Sequence, residues 1–98
     1  MAVRLGRQTV KLTFPPAFIG TAAVVGKKEG EGPLKECFDY ISEDSYFGES
    51  SWEKGESHML LQCFRTACDK AAKTPDAIDY VLSGDLLNQC VSSAFAMK

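Results

Sequence analysis

The sequence of 98 residues has no long hydrophobic run. Its longest apolar-biased stretch, Ala17 to Gly26, is about half of the ~20 residues that a membrane span needs. The first residues, Met1 to Val10, lack the apolar segment of a secretory signal peptide. We therefore expect an intracellular protein that reaches a membrane only through partners.

The sequence also lacks any strong excess of basic residues. Eleven lysines and arginines stand against 13 acidic residues, which gives a net charge of −2. No basic stripe is present that could neutralise a phosphate backbone, so we expect no nucleic-acid partner. Polybasic attachment to a lipid surface is excluded on the same ground.

Close cysteine pairs are missing as well. The four cysteines, Cys37, Cys63, Cys68 and Cys90, are too widely spaced for a zinc knuckle or a dithiol redox motif. Without an export signal, disulfides are not expected, and the thiols are interpreted as small hydrophobic side chains.

Other motifs of cofactor or metal sites are equally absent. The glycine-rich stretch Gly26–Gly32 matches neither phosphate-binding fingerprint. The acidic residues Glu43, Asp44 and Glu49 do not have EF-hand spacing and are interpreted as a solvated loop. The single histidine, His58, has no catalytic partner at helical spacing. We expect no metal, no cofactor and no catalytic residue in this chain.

The first half of the chain has two strand patterns followed by a long loop. Gln8–Phe14 alternates polar and apolar residues, and Pro15 ends the alternation. Ala17–Val25 is rich in small and β-branched residues, which predicts a strand covered on both faces. The segment Gly26–Ser51 is a loop that folds down on its aromatic residues, with a helical turn near Leu34–Tyr40.

A long amphipathic helix is predicted next. Ser50 and Glu53 form a capping box, and apolar residues recur at helical spacing to about Lys73. Trp52 is interpreted as a packing anchor, whereas Glu56 is among the charged residues placed on other faces. Gly55 weakens the first turn by about 1 kcal/mol relative to alanine.

The rest of the chain predicts a short turn, a strand and a second helix. Thr74 caps a single turn that begins at Pro75. Asp79–Ser83 follows as a strand, and Leu86–Phe95 forms a helix with one apolar side. The order β–β–loop–α–β–α predicts parallel pairing. Since these strands cannot cover both helices, we expect further polypeptide after Lys98 and self-association of the isolated chain.

Three stretches in this order resemble one protein family: GKKEGEGPL, FDYISEDSYFGESSWEKGE and IDYVLSGDLLNQ. The chain resembles the N-terminus of the stage V sporulation protein AD family from Gln8 to Phe95. That family resembles thiolases, whose halves are mixed five-stranded α/β sheets. The resemblance implies that residues 1–98 form an incomplete β-β-α-β-α N-terminal segment of such a domain. The following strand and its cysteine turn are absent, and Cys90 is not the equivalent cysteine.

The resemblance also implies a function. The family is associated with uptake of dipicolinic acid, as its calcium chelate, into the developing spore, beside membrane proteins of the same operon. A forespore location peripheral to the spore inner membrane and a homo-oligomer are expected. Most of the ligand pocket would lie outside this chain. The alternative is an N-terminal fragment of a thiolase-type acyltransferase, although we expect no acyltransferase activity from these residues alone.

Three polar residues are the candidate ligand-binding site: Asp85, Asn88 and Gln89. They lie where the last predicted strand ends and the final helix begins, an edge at which α/β sheets tend to bind ligands. A helix N-terminus favours anions such as dipicolinate, and a carboxylate suits its calcium. The alternative is that Asp85 caps the helix and the two amides are solvated or lie at an interface.

Overall fold

The computed structural model describes residues 2–87 and 91–97 as a mixed α/β arrangement. Its strands form a pair of two-stranded sheets, so the larger five-stranded thiolase-like sheet is not confirmed. In chain order the elements are β1 (Ala2–Leu5), β2 (Thr9–Leu12), β3 (Val24–Val25), α1 (Lys27–Gly30), a 3-10 turn (Lys35–Cys37), β4 (Tyr40–Ile41), α2 (Trp52–Lys70), a second 3-10 turn (Pro75–Ala77) and α3 (Val91–Ala96).

The first sheet is an antiparallel hairpin of β1 and β2. Its register runs from Ala2 opposite Leu12 to Leu5 opposite Thr9. Gly6, with φ of 72°, turns the chain between the strands, a conformation that glycine adopts without strain. The strand predicted at Gln8–Phe14 is confirmed in its central part, whereas β1 was not predicted.

The second sheet is a short parallel pair in which Val24 lies opposite Tyr40 and Val25 opposite Ile41. The prediction of a strand over Ala17–Val25 is therefore wrong before Val24. Phe18 is 95% exposed, and the chain instead approaches α2 at Gly20. A Cβ atom at Gly20 would lie 2.9 Å from the Ala67 carbonyl oxygen. Residues 17–23 thus approach the backbone of α2 at Gly20, and before Val24 they pair with no strand in the described part of the chain.

The predicted long loop between β3 and α2 does fold down onto the molecule. Its 3-10 turn, Lys35–Cys37, lies within the range in which a helical turn was expected. Phe47, near its end, is only 8% exposed. The short helix α1 and the strand β4 were missed, because elements of two to four residues have too few positions to show a period.

Asp44 organises the end of this loop. One carboxylate oxygen accepts the Tyr46 amide and the other accepts the Gly48 amide, both at 2.9 Å. These two backbone hydrogen bonds lower the pKa of Asp44. Phe47 and Gly48, which complete the turn, both have positive φ values. The acidic loop predicted around Asp44 is therefore an ordered turn, built on one of its carboxylates.

The long helix α2 is the best predicted element. Its N-cap is Ser51, whose hydroxyl accepts the Lys54 amide at 3.2 Å, so the predicted capping box on Ser50 is wrong by one residue. The helix ends at Lys70 because Ala72 has a left-handed φ of 56°. The Lys73 amide then donates to the Cys68 carbonyl at 3.0 Å and closes the helix terminus.

The chain after α2 departs most from prediction. The turn at Pro75–Ala77 is confirmed, although Thr74 makes no side-chain cap hydrogen bond. The strand predicted at Asp79–Ser83 is wrong, since these residues are exposed and belong to no strand. The final helix, α3, begins at Val91, later than the predicted Leu86. The expectation that further polypeptide covers the apolar faces of the helices remains a prediction.

Asp39 ties the parallel sheet to α2. Its carboxylate accepts the Ala23 amide at 2.7 Å and pairs with the Lys70 ammonium at 2.6 Å. The Asp39 amide in turn donates to the Ala23 carbonyl. The hydrogen bond from Lys70, followed by that from the Ala23 amide, holds the pKa of Asp39 below its ordinary value of 3.8.

This lowered pKa predicts a pH-dependent contribution to stability. A depressed carboxylate pKa stabilises the fold above the unfolded pKa, and that contribution is lost as the pH falls through the folded pKa. We expect Asp39→Asn to lower Tm at neutral pH, with the difference from wild type shrinking below pH 3.8. Thermal unfolding over a pH series measures this. Glu43→Gln, at an exposed carboxylate, is the control, and equal pH profiles for the two variants would contradict the prediction.

Candidate functional site

The candidate site is centred on Asp85, between α2 and α3. One Asp85 carboxylate oxygen accepts the Ser93 amide at 3.0 Å and also contacts the Ser93 hydroxyl. The Ser93 hydroxyl shares a further hydrogen bond of 2.7 Å with that of Ser83. Because Ser93 lies in the first turn of α3, Asp85 serves that helix as a cap supplied from outside it. This matches the capping alternative, and a ligand-binding role for Asp85 stays a prediction.

The two amide residues of the predicted site, Asn88 and Gln89, lie outside the described residues, as does Cys90. The ligand-binding role proposed for Asn88 and Gln89 therefore also stays a prediction.

A second carboxylate, missed by sequence reasoning, lies beside the same turn. Glu56 on α2 is only 8% exposed, although its position predicted a charged outer face. One of its oxygens accepts the Leu86 amide at 3.1 Å. Its burial depends on how residues 83–87 and α3 cross α2, a long-range packing that helical periodicity does not contain. Only the neighbouring Gly55, which allows close approach, is a local signal.

Glu56 and Asp85 have one property in common. Within residues 2–87 and 91–97, each has a second carboxylate oxygen that is buried and has no hydrogen-bond partner. Burying such an oxygen without a partner costs about 1–3 kcal/mol, and more when it is charged. Hard oxygen donors of this kind suit a calcium ion or a hydrogen-bond donor.

Hydrogen bonds between helix and chain hold this region in place. The Ser92 hydroxyl, fully buried, donates to the Glu53 carbonyl at 3.2 Å. The Ser57 hydroxyl donates to the Ser92 carbonyl at 2.9 Å. Two serine hydroxyls thus hydrogen-bond α3 to α2.

A cleft of about 340 Å³ opens beside Glu56. Lys27 and Lys28 of α1 line it together with Leu86. Trp52 lies in the wall and stacks on Tyr46, with ring centroids 4.0 Å apart and planes at 22°. Trp52 thus has the packing contact that was predicted, but half of its surface remains exposed. The remaining lining residues are Gly26, Glu29, Ser45, Phe47, Gly55, Met59 and Leu87.

His58 lies in a neighbouring, larger cleft of about 510 Å³. Its Nδ1 is 3.4 Å from a Glu49 carboxylate oxygen, and its ring lies 6.0 Å from that of Phe47. The sequence did not identify Glu49 as a partner, because it precedes the helix. Ser57 also lines this cleft, but its hydroxyl is already donated to Ser92.

Comparison with known proteins identifies the family. The family model of stage V sporulation protein AD matches residues 6–98. The chain belongs to the stage V sporulation protein AD family. It is similar to the stage V sporulation protein AD of Bacillus subtilis (strain 168), with 32% identity over 93 residues, which are 95% of this chain. The chain spans 28% of the length of that curated relative.

Membership in the stage V sporulation protein AD family confirms the resemblance read from the sequence and gives the chain a sporulation role. Among the residues that the structure describes, no helix is long and apolar enough to cross a bilayer.

The described cysteines of this family member are all free. Cys68 is buried and Cys63 partly so, whereas Cys37 is exposed and does not pack as the small hydrophobic side chain that the sequence predicted. The Cys63 thiol contacts the Ala22 carbonyl at 3.3 Å, which adds to the packing of the segment before β3 on α2.

Proposed function

We propose that this chain contributes to a binding site for dipicolinate, as its calcium chelate, within a sporulation protein of thiolase-like fold. The observation that carries the proposal is the buried Glu56 with its unpartnered oxygen, beside a cleft that also presents Lys27 and Lys28. Asp85 comes directly before the lining residue Leu86 in the chain and carries the second such oxygen. Asn88 and Gln89 are proposed to complete the polar edge.

The chemistry of the ligand fits this combination of groups. Dipicolinate is a flat aromatic dianion, so its carboxylates suit the ammonium groups of Lys27 and Lys28. Its calcium suits the carboxylate oxygens of Glu56 and Asp85. The ring suits an apolar wall, which Trp52 and the aliphatic side chains provide. Ligand pockets commonly combine such a wall with a few placed polar groups.

Binding is proposed in preference to acyl transfer. Thiolase-type chemistry needs an activated cysteine. The described lining of the cleft beside Glu56 is made of other residue types, and His58 lies in the neighbouring cleft. In the cell, we propose a forespore location peripheral to the spore inner membrane, beside membrane proteins of the same operon. The sporulation family supports that setting.

Titration of the full chain with calcium dipicolinate, followed by NMR, tests the proposal. Because most of the pocket is expected outside this chain, we expect weak binding, with Kd on the order of 1 mM. Amide signals of Lys27, Lys28, Glu56 and Leu86 should shift together. Benzene-1,3-dicarboxylate with calcium, which lacks the chelating ring nitrogen, should give much smaller shifts.

Charge-changing variants test whether the ligand binds in the cleft beside Glu56. The double change Lys27→Glu and Lys28→Glu should weaken binding by about tenfold or more, since two attractive charges become repulsive. Lys54→Glu, a matched charge change in the other cleft, should leave Kd unaltered. Shifts confined to other parts of the chain, or equal losses in both variants, would exclude this cleft as the site.

A further inference from the structure

The hairpin of β1 and β2 is an exposed two-stranded sheet. All eight of its strand residues are exposed, including Val3, Leu5, Val10 and Leu12. An isolated two-stranded hairpin is marginally stable in water, and a third strand is generally needed. Open strand edges also act as templates for pairing with another chain. The hairpin therefore has a physical reason to accept a further strand.

The charge of this hairpin restricts what that strand can be. Arg4, Arg7 and Lys11 are the only charged side chains before Lys27, so this part of the chain is locally basic. The Arg4 guanidinium donates to the Gly6 and Arg7 carbonyls at 3.2 and 2.6 Å and is occupied within the turn. Among the described residues, the Lys11 ammonium on β2 has no ion-pair or hydrogen-bond partner. The β2 edge thus presents a free positive charge.

The two faces of β2 differ. Side chains alternate along a strand, so Thr9 and Lys11 lie on one face and Val10 and Leu12 on the other. A strand that fits beside β2 has an acidic residue on the face that carries Lys11 and apolar residues on the face that carries Val10 and Leu12. Two hairpins cannot satisfy this by pairing β2 with β2, because β2 contains no acidic residue to place near Lys11.

The chain itself contains a segment with this pattern. Residues 79–83 are exposed, and within the described part of the chain their backbone N–H and C=O groups have no hydrogen-bond partner. Tyr80 and Leu82 are 90% and 99% exposed and alternate with Asp79 and Val81. The stretch from Thr74 to Met97 contains three aspartates and no basic residue. It is the acidic, apolar complement of the hairpin.

We propose that residues 79–83 of one copy of this chain add as a third strand to the free β2 edge of a second copy. Tyr80 and Leu82 then lie opposite Val10 and Leu12, and Asp79 is a diagonal neighbour of Lys11 on the same face of the sheet. The backbone groups of residues 79–83 gain the partners that they lack in one chain. Exchange in both directions closes a two-fold dimer, because each copy offers both surfaces.

Sedimentation equilibrium of the full chain over a range of concentrations tests this association. Lys11→Glu and Asp79→Lys should each raise the dimer dissociation constant by about fivefold to tenfold, and the double variant should restore it. Both positions are exposed, so neither change disturbs the fold. Lys35→Glu, an exposed charge change elsewhere, is the control and should leave association unaltered.

A backbone measurement locates the contact directly. Amides of residues 79–83 and 9–12 should gain hydrogen-exchange protection as the concentration rises, and Val81→Pro should abolish that gain and the dimer. A chain that stays monomeric would overturn the proposal. A dimer whose protected amides lie elsewhere would also overturn it. The same holds for a dimer whose dissociation constant does not change when Lys11 or Asp79 is substituted, since another surface would then be the interface.

Discussion

Replacing Gly55 with alanine is expected to destabilise the chain, although alanine is the better helix former. A Cβ atom at position 55 would lie 2.8 Å from the Tyr46 carbonyl oxygen and 3.2 Å from its carbon. Both atoms belong to the backbone of a turn that Asp44 holds in place. The turn therefore cannot yield as a flexible side chain would.

The opposing effects can be compared in size. Alanine gains about 1 kcal/mol of helix propensity, whereas overpacking against fixed atoms costs about 1–3 kcal/mol. We expect a net loss of about 1 kcal/mol in the free energy of unfolding. Urea denaturation of the two proteins measures it. Gly84→Ala is the matched control, because a Cβ atom there meets nothing within 4 Å.

A rise in stability on Gly55→Ala would mean that the loop does not lie against the first turns of α2. That outcome would also alter the cleft beside Glu56, because Ser45 and Phe47 of the same loop line it. The result thus bears on the candidate site as well as on the fold.

The parts of the fold that sequence reasoning predicted are those decided locally. The long helix α2 follows from a 3.6-residue apolar period, a serine cap and a stop before Pro75. The turn at Pro75–Ala77 follows from proline geometry alone. Burial of Phe47 followed from the composition of the loop, since this side chain is too large and apolar for a solvated linker, whereas Tyr40 and Tyr46 of the same loop are exposed.

The parts that failed depend on partners distant in sequence. Residues 17–23 and 79–83 have β-like composition, but a strand exists only where a second strand pairs with it. The prediction that Glu56 lies on an exposed face failed for a similar reason, because its burial comes from residues 83–87 and from α3, some 30 residues later. Composition identifies a tendency to pair, whereas the pairing partner decides whether a strand forms.

The candidate site also combines a residue that the local sequence predicted with residues that only the fold brings to the cleft. Asp85 was predicted as a site residue because a polar residue after a strand-like run and before a helix marks a functional edge in α/β proteins, and that role stays a prediction. Its contacts with the Ser93 amide and hydroxyl are ones that a helix cap would also make. Lys27 and Lys28 were interpreted as part of a loop, and only the fold brings them to the cleft beside Glu56.

Phe47→Ala is expected to have the largest effect of any single change in the described chain. Phe47 is one of very few large apolar side chains here that are almost fully buried. Its ring lies 4.0 Å from the position of a Cβ atom at Gly26 and 6.0 Å from the centre of the His58 ring. It therefore joins β3, the ordered turn and α2. Truncation of such a side chain costs about 3–5 kcal/mol in a closed core.

Because one side of Phe47 borders the cleft, we expect a loss of about 3 kcal/mol, the lower end of that range. The backbone has φ of 53° at this residue, and alanine is no better suited to that conformation than phenylalanine. The loss therefore reports the side chain alone. Denaturant unfolding measures it, with Phe18→Ala, at a 95% exposed ring, as the matched control. Similar small losses in both variants would show that Phe47 does not join the three elements, and that the cleft beside Glu56 lacks a rigid wall.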